Sequence, residues 1–268
     1  MKKTQKGDTM ILSDFFQQHP QAAIGFSGGV DSAYLAYCAK KYAQNMLAIY
    51  YKSEFQPEFE FEDAKRFCTQ HGIPLKVLYG SVLNDNTIIE NPKNRCYLCK
   101  HELFEKIWDI ATKEGLNAVA EGSNMDDNGD YRPGLQAVAE LGVKSPLRHS
   151  ELYKEDIRAL SKDLDLPTWE KQSFACLSSR FVYGETITKE KLGMVDKAEQ
   201  LLLDLGFHQL RVRIHGTLAR IEVLPDELQK VLENRNQIVK AFKEYGFTYV
   251  TMDIQGYRMG SMNETLKK

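Results

Sequence analysis

The sequence predicts a doubly wound α/β fold with a mostly parallel sheet, followed by a second, smaller α+β domain. Two features predict it. Between residues 22 and 120, short apolar runs alternate with longer helical patterns. Past residue 185 the order changes to helix, strand, strand, helix, strand.

Taken in order, Ala22–Phe26 is a short apolar run that breaks into Ser27-Gly28-Gly29-Val30-Asp31-Ser32. Ala33, Leu35, Ala36, Tyr37 and Ala39 then keep a helical pattern, so the stretch reads as strand, glycine turn, helix. Met46–Tyr51 reads as a second buried strand, Glu58–Gln70 as a charged helix and Leu75–Tyr79 as a third strand. Leu98–Lys113 is a helix that Gly115 ends, and Asn117–Ala120 is a fourth strand. The pattern changes near Phe181–Thr188. Helix Lys189–Leu203, strands Gln209–Ile214 and Leu218–Val223, helix Asp226–Glu244 and strand Thr248–Ile254 follow. The expected domains are 1–184 and 185–268.

Composition narrows the function classes. The 268 residues are 43% hydrophobic and 27% charged, which excludes global disorder. With 35 basic and 37 acidic residues, a net charge of −2 gives no general attraction for nucleic acid. No run of apolar residues is long enough for a transmembrane helix, and the basic N-terminus lacks the apolar core of a secretion signal. Cys38, Cys68, Cys96, Cys99 and Cys176 are an odd set, read as cytosolic thiols in a cytoplasmic protein.

Chemistry concentrates in four places. In Ser27–Ser32 the glycines let backbone N–H groups approach an anion, the following helix adds positive charge at its start, and two serines add hydroxyls. Neither the Walker pattern nor the dinucleotide G-x-G-x-x-G spacing is present. Glu121-Gly122-Ser123-Asn124-Met125-Asp126-Asp127 follows the fourth strand, at the strand end where open α/β sheets bind ligands. A calcium-loop reading starting at Asp126 fails, because its sixth position is Tyr131 and its twelfth Ala137.

Cys96-Tyr97-Leu98-Cys99 lies just before and inside the start of a helix, and Cys176 stands apart in Ser173-Phe174-Ala175-Cys176-Leu177-Ser178-Ser179-Arg180. A redox pair, a zinc site completed by His101 or Cys176, and an iron–sulfur site completed by Cys176 all suit this pattern. Cys38 and Cys68 sit on apolar helical faces and read as core. In the second domain, Leu210-Arg211-Val212-Arg213-Ile214-His215 alternates, so Arg211 and Arg213 share a strand face. Glu199, on an apolar helix stripe, is expected to reach one of them. The plain alternative is a solvated, salt-bridged sheet face.

Ser27–Ser32 resembles the SGG-x-DS signature of the PP-loop ATP-pyrophosphatase superfamily, and Glu121–Asp127 resembles its G-[ST]-N-x-DD segment. The resemblance implies that residues 27–32 hold the departing pyrophosphate of ATP while AMP passes to a substrate. It also implies that Asp31 organises the loop and Mg²⁺, and that Ser53, Gly122, Asn124 and Asp127 contribute to the nucleotide site.

Adding Asn94–His101, Arg132-Pro133-Gly134, Ala175–Arg180, Arg211–Gly216, Gly256-Tyr257-Arg258 and Gly260–Asn263, the chain resembles the LarE family over residues 10–264. That family consists of ATP-dependent sulfurtransferases that make the nickel-pincer nucleotide cofactor of lactate racemase. The resemblance implies adenylation of a carboxylate of pyridinium-3,5-biscarboxylic acid mononucleotide, followed by displacement of AMP by sulfur. Arg180, Glu199, Arg211 and Arg213 would then serve the substrate phosphate.

Some members give up the sulfur of one cysteine at the position of Cys176, whereas others hold a 4Fe-4S cluster on three cysteines. Cys96, Cys99 and Cys176 together imply the cluster, with zinc as the alternative. The partners implied are the mononucleotide and sulfide or another sulfur donor, and a homo-oligomer is expected. Three further readings differ: a tRNA-thiolating relative, a non-catalytic nucleotide and metal sensor, and an amidating ligase.

Overall fold

The computed structural model of the protein describes residues 5–128, 133–172, 174–258 and 260–266. Arg132 and Ser173 lie outside them, as do Gly129, Asp130 and Tyr131. The chain forms two compact units. The first comprises residues up to Ser53, Glu58–Gly80 and Asn94–Phe174. The second comprises Glu54–Pro57, Ser81–Lys93 and the chain from Ala175 onward.

The first unit begins with α1 (Gln5–Gln18), β1 (Gln21–Gly25), α2 (Val30–Tyr42), β2 (Asn45–Lys52), α3 (Glu58–Gln70) and β3 (Leu75–Tyr79). The short α4 (Asn86–Ile89) belongs to the second unit. The first unit resumes with α5 (Arg95–Lys113), β4 (Ala118–Ala120), α6 (Gly134–Glu140), α7 (Pro146–His149) and α8 (Lys154–Asp163).

Its four strands are parallel in the order β3-β2-β1-β4. Side-chain alternation along the two central strands divides the core. Ala22, Ile24, Ala48 and Tyr50 join α1, α2, α3 and α8 on one face, while Ala23 and Ile49 join α5 and α6 on the other. Helices thus cover both faces, as the doubly wound pattern predicts. The connection after β1 runs to β2, and β4 pairs on the opposite side of β1. The loops leaving β1 and β4 therefore flank the point where strand order reverses, where such sheets open a crevice.

Several elements differ from expectation. Helix α5 begins three residues early, at Arg95, so both cysteines of the C-x-x-C lie within the helix. Helices α1 and α6–α8 were not expected. Of these, α6 has seven residues and α7 four, and a period of 3.6 shows poorly over so few.

The second unit continues with α9 (Lys189–Asp204), β5 (Leu210–His215), β6 (Leu218–Val223), α10 (Leu228–Glu233), α11 (Arg235–Glu244) and β7 (Tyr249–Met252). Its mixed sheet has the order β5-β6-β7, antiparallel then parallel. Gly216, at a φ of +61°, makes the tight β5–β6 turn. Helices α9 and α11 contribute Val195, Ala198, Leu202, Ile238 and Phe242 to the buried residues of this unit. The single helix expected over 226–244 is two. Asn234 separates them, its side-chain amide donating to the Lys230 carbonyl at 2.8 Å.

The segments drawn in from earlier in the chain are tied by backbone hydrogen bonds. Leu177 N–H reaches Phe55 O at 2.8 Å, Gly184 reaches Asn91 at 2.9 Å and Ile187 reaches Ile89 at 2.8 Å.

Candidate active site

The cradle after β1 is built from its own atoms. Gly28 adopts a φ of +77°, and a side chain there would put Cβ 2.9 Å from Ala64 Cβ of α3. Both facts call for glycine. The Ser27 and Ser32 hydroxyls lie 3.1 Å apart, and the Ser27 N–H donates to Ser32 Oγ at 3.2 Å. Ser32 Oγ donates to the Gly29 carbonyl at 3.1 Å. Helix α2 starts at Val30, with Gly29 as an N-cap that supplies no side-chain acceptor. Its first-turn amides are thus left to the loop, with the positive end of the helix dipole behind them.

The loop after β4 is locked against this cradle. A Cβ on Gly122 would fall 2.9 Å from the Ser32 nitrogen and 3.2 Å from the Asp31 carbonyl carbon, both backbone. Asn124, buried, donates from Nδ2 to Asp31 Oδ1 at 3.0 Å. Its own Oδ1 accepts from Asp126 N–H at 2.9 Å, and its N–H donates to Asp127 Oδ2 at 2.9 Å, closing a capping box. Asp31, Gly122, Asn124 and Asp127 are therefore brought together with Ser27–Ser32. Ser53 is buried and follows the end of β2, at the same edge of the sheet.

Two residues of this region were not singled out from sequence. Glu121, buried, accepts from Ser123 N–H at 3.1 Å, Ser123 Oγ at 2.8 Å and Ser145 Oγ at 2.6 Å, with Lys100 Nζ 3.6 Å away. Lys154, the first residue of α8, places its ammonium 2.6 Å from Asp31 Oδ2. Nothing in the charged run around Lys154 marks it out, because its partner is 123 positions away.

Cys96 and Cys99 are half-buried on α5 in the first unit, and Cys176 is half-buried in the second. Arg95, buried, donates through Nη2 to Cys96 Sγ at 3.8 Å. Gly134 packs on this turn, since a Cβ there would meet Lys100 Cδ at 2.7 Å and the Cys96 carbonyl at 3.3 Å. His101 pairs within its own helix with Glu105, Nδ1 to Oε2 at 3.4 Å. Among the described residues, no group of three or more His, Cys, Asp or Glu is arranged to hold a metal ion.

Around Cys176 the second unit carries a buried ionic network. Cys176 Sγ lies 3.0 Å from Ser178 Oγ. Arg180, fully buried, donates Nε and Nη2 to the two Glu199 oxygens at 2.9 and 2.7 Å. Its Nη1 donates to the carbonyls of Ala175 at 2.5 Å and Cys176 at 3.1 Å, and to Ser179 Oγ at 2.9 Å. Glu199 also accepts the Val212 N–H at 2.8 Å.

The expected partner of Glu199 was Arg211 or Arg213; the structure gives it Arg180. The reason is bidentate geometry: one planar fork meets one carboxylate and still reaches the loop carbonyls. Arg213 forks onto Glu222, with its Nη2 at 3.0 Å from Oε2, and donates further to the Ser179 carbonyl and Ser261 Oγ. Arg211 lies 5.3 Å from the Tyr257 ring centre and donates to the Leu210 carbonyl at 2.5 Å. Burial, with Arg180 beside it, lowers the Arg211 guanidinium to about 10. The two arginines do share one face of β5, but that face is covered and not a solvated one.

A family model described as NAD synthase matches residues 12–82, the span from α1 through β3. The chain is 41% identical over 260 residues to an uncharacterized protein of Synechocystis sp., covering 96% of this chain and 97% of that protein. It is 35% identical over 250 residues to the pyridinium-3,5-bisthiocarboxylic acid mononucleotide synthase of Lactiplantibacillus plantarum, covering 92% and 91%. A more distant likeness is to the tRNA-specific 2-thiouridylase MnmA of Helicobacter pylori, 33% identical over an alignment of 288 positions covering 92% and 81%.

Proposed function

We propose that this chain, which belongs to the LarE family of the PP-loop ATP-pyrophosphatase superfamily, is an ATP-using sulfurtransferase acting on a pyridinium mononucleotide. In finer detail, it adenylates a carboxylate of pyridinium-3,5-biscarboxylic acid mononucleotide, releases pyrophosphate, and replaces AMP with sulfur to give a thiocarboxylate. The observation that carries the reading is the Asn124–Asp31 hydrogen bond, 3.0 Å, which joins the two superfamily motifs into one cradle.

A carboxylate oxygen is a poor leaving group, and transfer of AMP converts it into a good one. The carboxylate attacks the α-phosphorus of ATP, and the bond to the bridging oxygen of pyrophosphate breaks. Amides of residues 28–32 and the Ser27 and Ser32 hydroxyls would stabilise the charge that gathers on the departing group. Asp31, held in place by Asn124, fixes the start of α2. A Mg²⁺ ion bound with ATP would neutralise further phosphate charge. Sulfur then attacks the acyl carbon and AMP leaves.

The sulfur is assigned to the cysteine chemistry of Cys176 with Cys96 and Cys99. The three-cysteine pattern supports a 4Fe-4S cluster over zinc, and over sacrifice of Cys176 alone. Among the described residues no group of three or more ligands is arranged to hold a metal. Arg211 and Arg213 are proposed for the phosphate of the mononucleotide. Arg180 and Glu199, which occupy each other, would support that site.

The test is incubation with ATP, Mg²⁺, the mononucleotide and sulfide under anaerobic conditions. AMP, pyrophosphate and a product heavier by the exchange of oxygen for sulfur are expected. ADP as the nucleotide product would overturn the adenylation. A colourless protein with stoichiometric zinc would overturn the cluster alone. Salt-sensitive tRNA retention with thiolated tRNA as product would replace the substrate assignment.

A further inference from the structure

Arg180 and Glu199 are 0% and 2% exposed. A buried ion pair is weak evidence for stability, because an apolar pair of like volume often holds a core as well. What an apolar pair cannot do is donate, and the Arg180 fork carries more donors than Glu199 takes. Nε and Nη2 meet the carboxylate at 2.9 and 2.7 Å, which leaves Nη1 to the loop that precedes it.

Nη1 donates to the Ala175 carbonyl at 2.5 Å and to the Cys176 carbonyl at 3.1 Å. These carbonyls belong to the two peptide planes that meet at the Cys176 Cα, one before it and one after. A peptide unit is planar and rigid, so the chain turns only at its Cα atoms. Fixing both planes fixes the φ and ψ between them, here −53° and 148°, and with them the direction of the Cα–Cβ bond. Two further bonds hold the second plane. Ser179 N–H donates to the Cys176 carbonyl at 3.0 Å, and Leu177 N–H donates to the Phe55 carbonyl at 2.8 Å.

The guanidinium is aimed from its other side. Glu199, on α9, also accepts the Val212 N–H of β5 at 2.8 Å, so the carboxylate is itself fixed by the sheet. A chain of bonds thus runs from β5 through Glu199 and Arg180 to the backbone at Cys176, all within the second unit. Charge-assisted hydrogen bonds are short, and a bidentate pair adds a fixed plane.

We propose that Arg180 is a positioning residue for sulfur transfer: through the carbonyls of Ala175 and Cys176 it sets the direction in which the Cys176 side chain leaves the loop, and Glu199 keeps the guanidinium in that orientation. The inference rests on the sulfurtransferase reading above and deepens it by naming what aims the sulfur-bearing residue.

The experiment compares the full-length wild type with Arg180→Met/Glu199→Leu and with Arg180→Lys. Each protein is assayed anaerobically with ATP, Mg²⁺, the mononucleotide and sulfide. Exchange of labelled pyrophosphate into ATP reports activation, and mass spectrometry reports thiocarboxylate. The quantity read is the ratio of thiocarboxylate formation to exchange, beside a urea midpoint for each protein. The apolar pair fills the space and supplies no donor. Its ratio is expected to fall at least about ten-fold in a folded protein, since a misplacement of about 1 Å at a reacting group can cost about a hundred-fold. Arg180→Lys keeps a charge for Glu199 and gives up the planar second arm, so its ratio is expected to fall as well.

A wild-type ratio in either folded variant would overturn the proposal, because a purely structural role is served by the apolar pair and slows both steps alike. Absence of thiocarboxylate from the wild type would instead count against the sulfurtransferase reading, which separates the two failures. Two variants of different chemistry are compared, so one that misfolds leaves the outcome readable.

Discussion

Asn124 Nδ2 donates to Asp31 Oδ1 at 3.0 Å across 93 residues of chain. That bond and the contact of Gly122 with the Ser32 backbone turn two separate loops into one surface. Asp31 is thereby held on both oxygens, by an amide on one side and by the Lys154 ammonium on the other. A carboxylate so fixed cannot swing away when an anion enters, so the geometry of the first turn of α2 is set before ligand arrives.

Gly122→Ala tests this joint directly. Its Cβ would meet backbone at 2.9 Å, which no rotamer change relieves. The expected cost is about 1–3 kcal/mol of stability from overpacking, together with weaker ATP binding. Urea denaturation and nucleotide titration measure the two. Wild-type values for both would mean that the loops are not in contact as described.

Cys176→Ala separates activation from sulfur transfer. The variant is expected to keep exchange of labelled pyrophosphate into ATP in the presence of the mononucleotide, while thiocarboxylate product disappears from the mass spectrum. The double replacement Cys96→Ala/Cys99→Ala should behave the same way if the cluster supplies the sulfur. Should the double variant transfer sulfur once per chain with dehydroalanine left at position 176, the sacrificial route would be the correct one.

The Arg180–Glu199 pair is fully removed from solvent. Glu199→Ala leaves a buried guanidinium without its carboxylate, and about 3–5 kcal/mol of stability should be lost. Replacing both at once, as Arg180→Met/Glu199→Leu, should recover much of that loss, since an apolar pair carries no unpaired charge. The urea midpoints of the three proteins decide it. A single variant as stable as wild type would show that the pair is not buried.

Burial pushes the thiols of Cys38 and Cys68 up to about 12 from an ordinary 9.0. Both hold their protons more tightly when folded than when unfolded. Their contribution to stability is therefore complete below pH 9.0 and is lost as pH rises towards about 12. In protein freed of any cluster, iodoacetamide at pH 8 should modify Cys96, Cys99 and Cys176 in the folded chain and reach Cys38 and Cys68 only after denaturation. Stability should also fall between pH 9 and pH 11, less steeply in Cys38→Ala/Cys68→Ala.

Much of the fold is legible residue by residue. Helix α3 and strands β3 and β6 occupy the ranges their patterns predict, and β1 and β2 differ only at their ends. Their signals are local: an apolar run, a period of two, a glycine that stops a helix. The expectation for Glu199 misses its partner because a buried carboxylate on a helix stripe announces that a cation is needed and not which one. Three arginines on neighbouring segments satisfy that need equally in sequence, and only packing selects Arg180. The start of α5 at Arg95 is missed for a similar reason, since the residue its first turn buries is an arginine and not an apolar side chain.

By itself the sequence determined the order of the strands and the family to which the chain belongs. These depend on residues adjacent in the chain or spaced by one or two turns. The tertiary structure alone decided that Lys154 meets Asp31, that Arg180 meets Glu199, and that Gly122 must lack a side chain. Lys154 and Asp31, 123 residues apart, and Gly122 and Ser32, about 90 apart, meet only where the parallel crossovers bring distant segments together, and Arg180 and Glu199, 19 apart, meet where α9 packs on the turn at 177–180. No short-range pattern encodes the result of that closure.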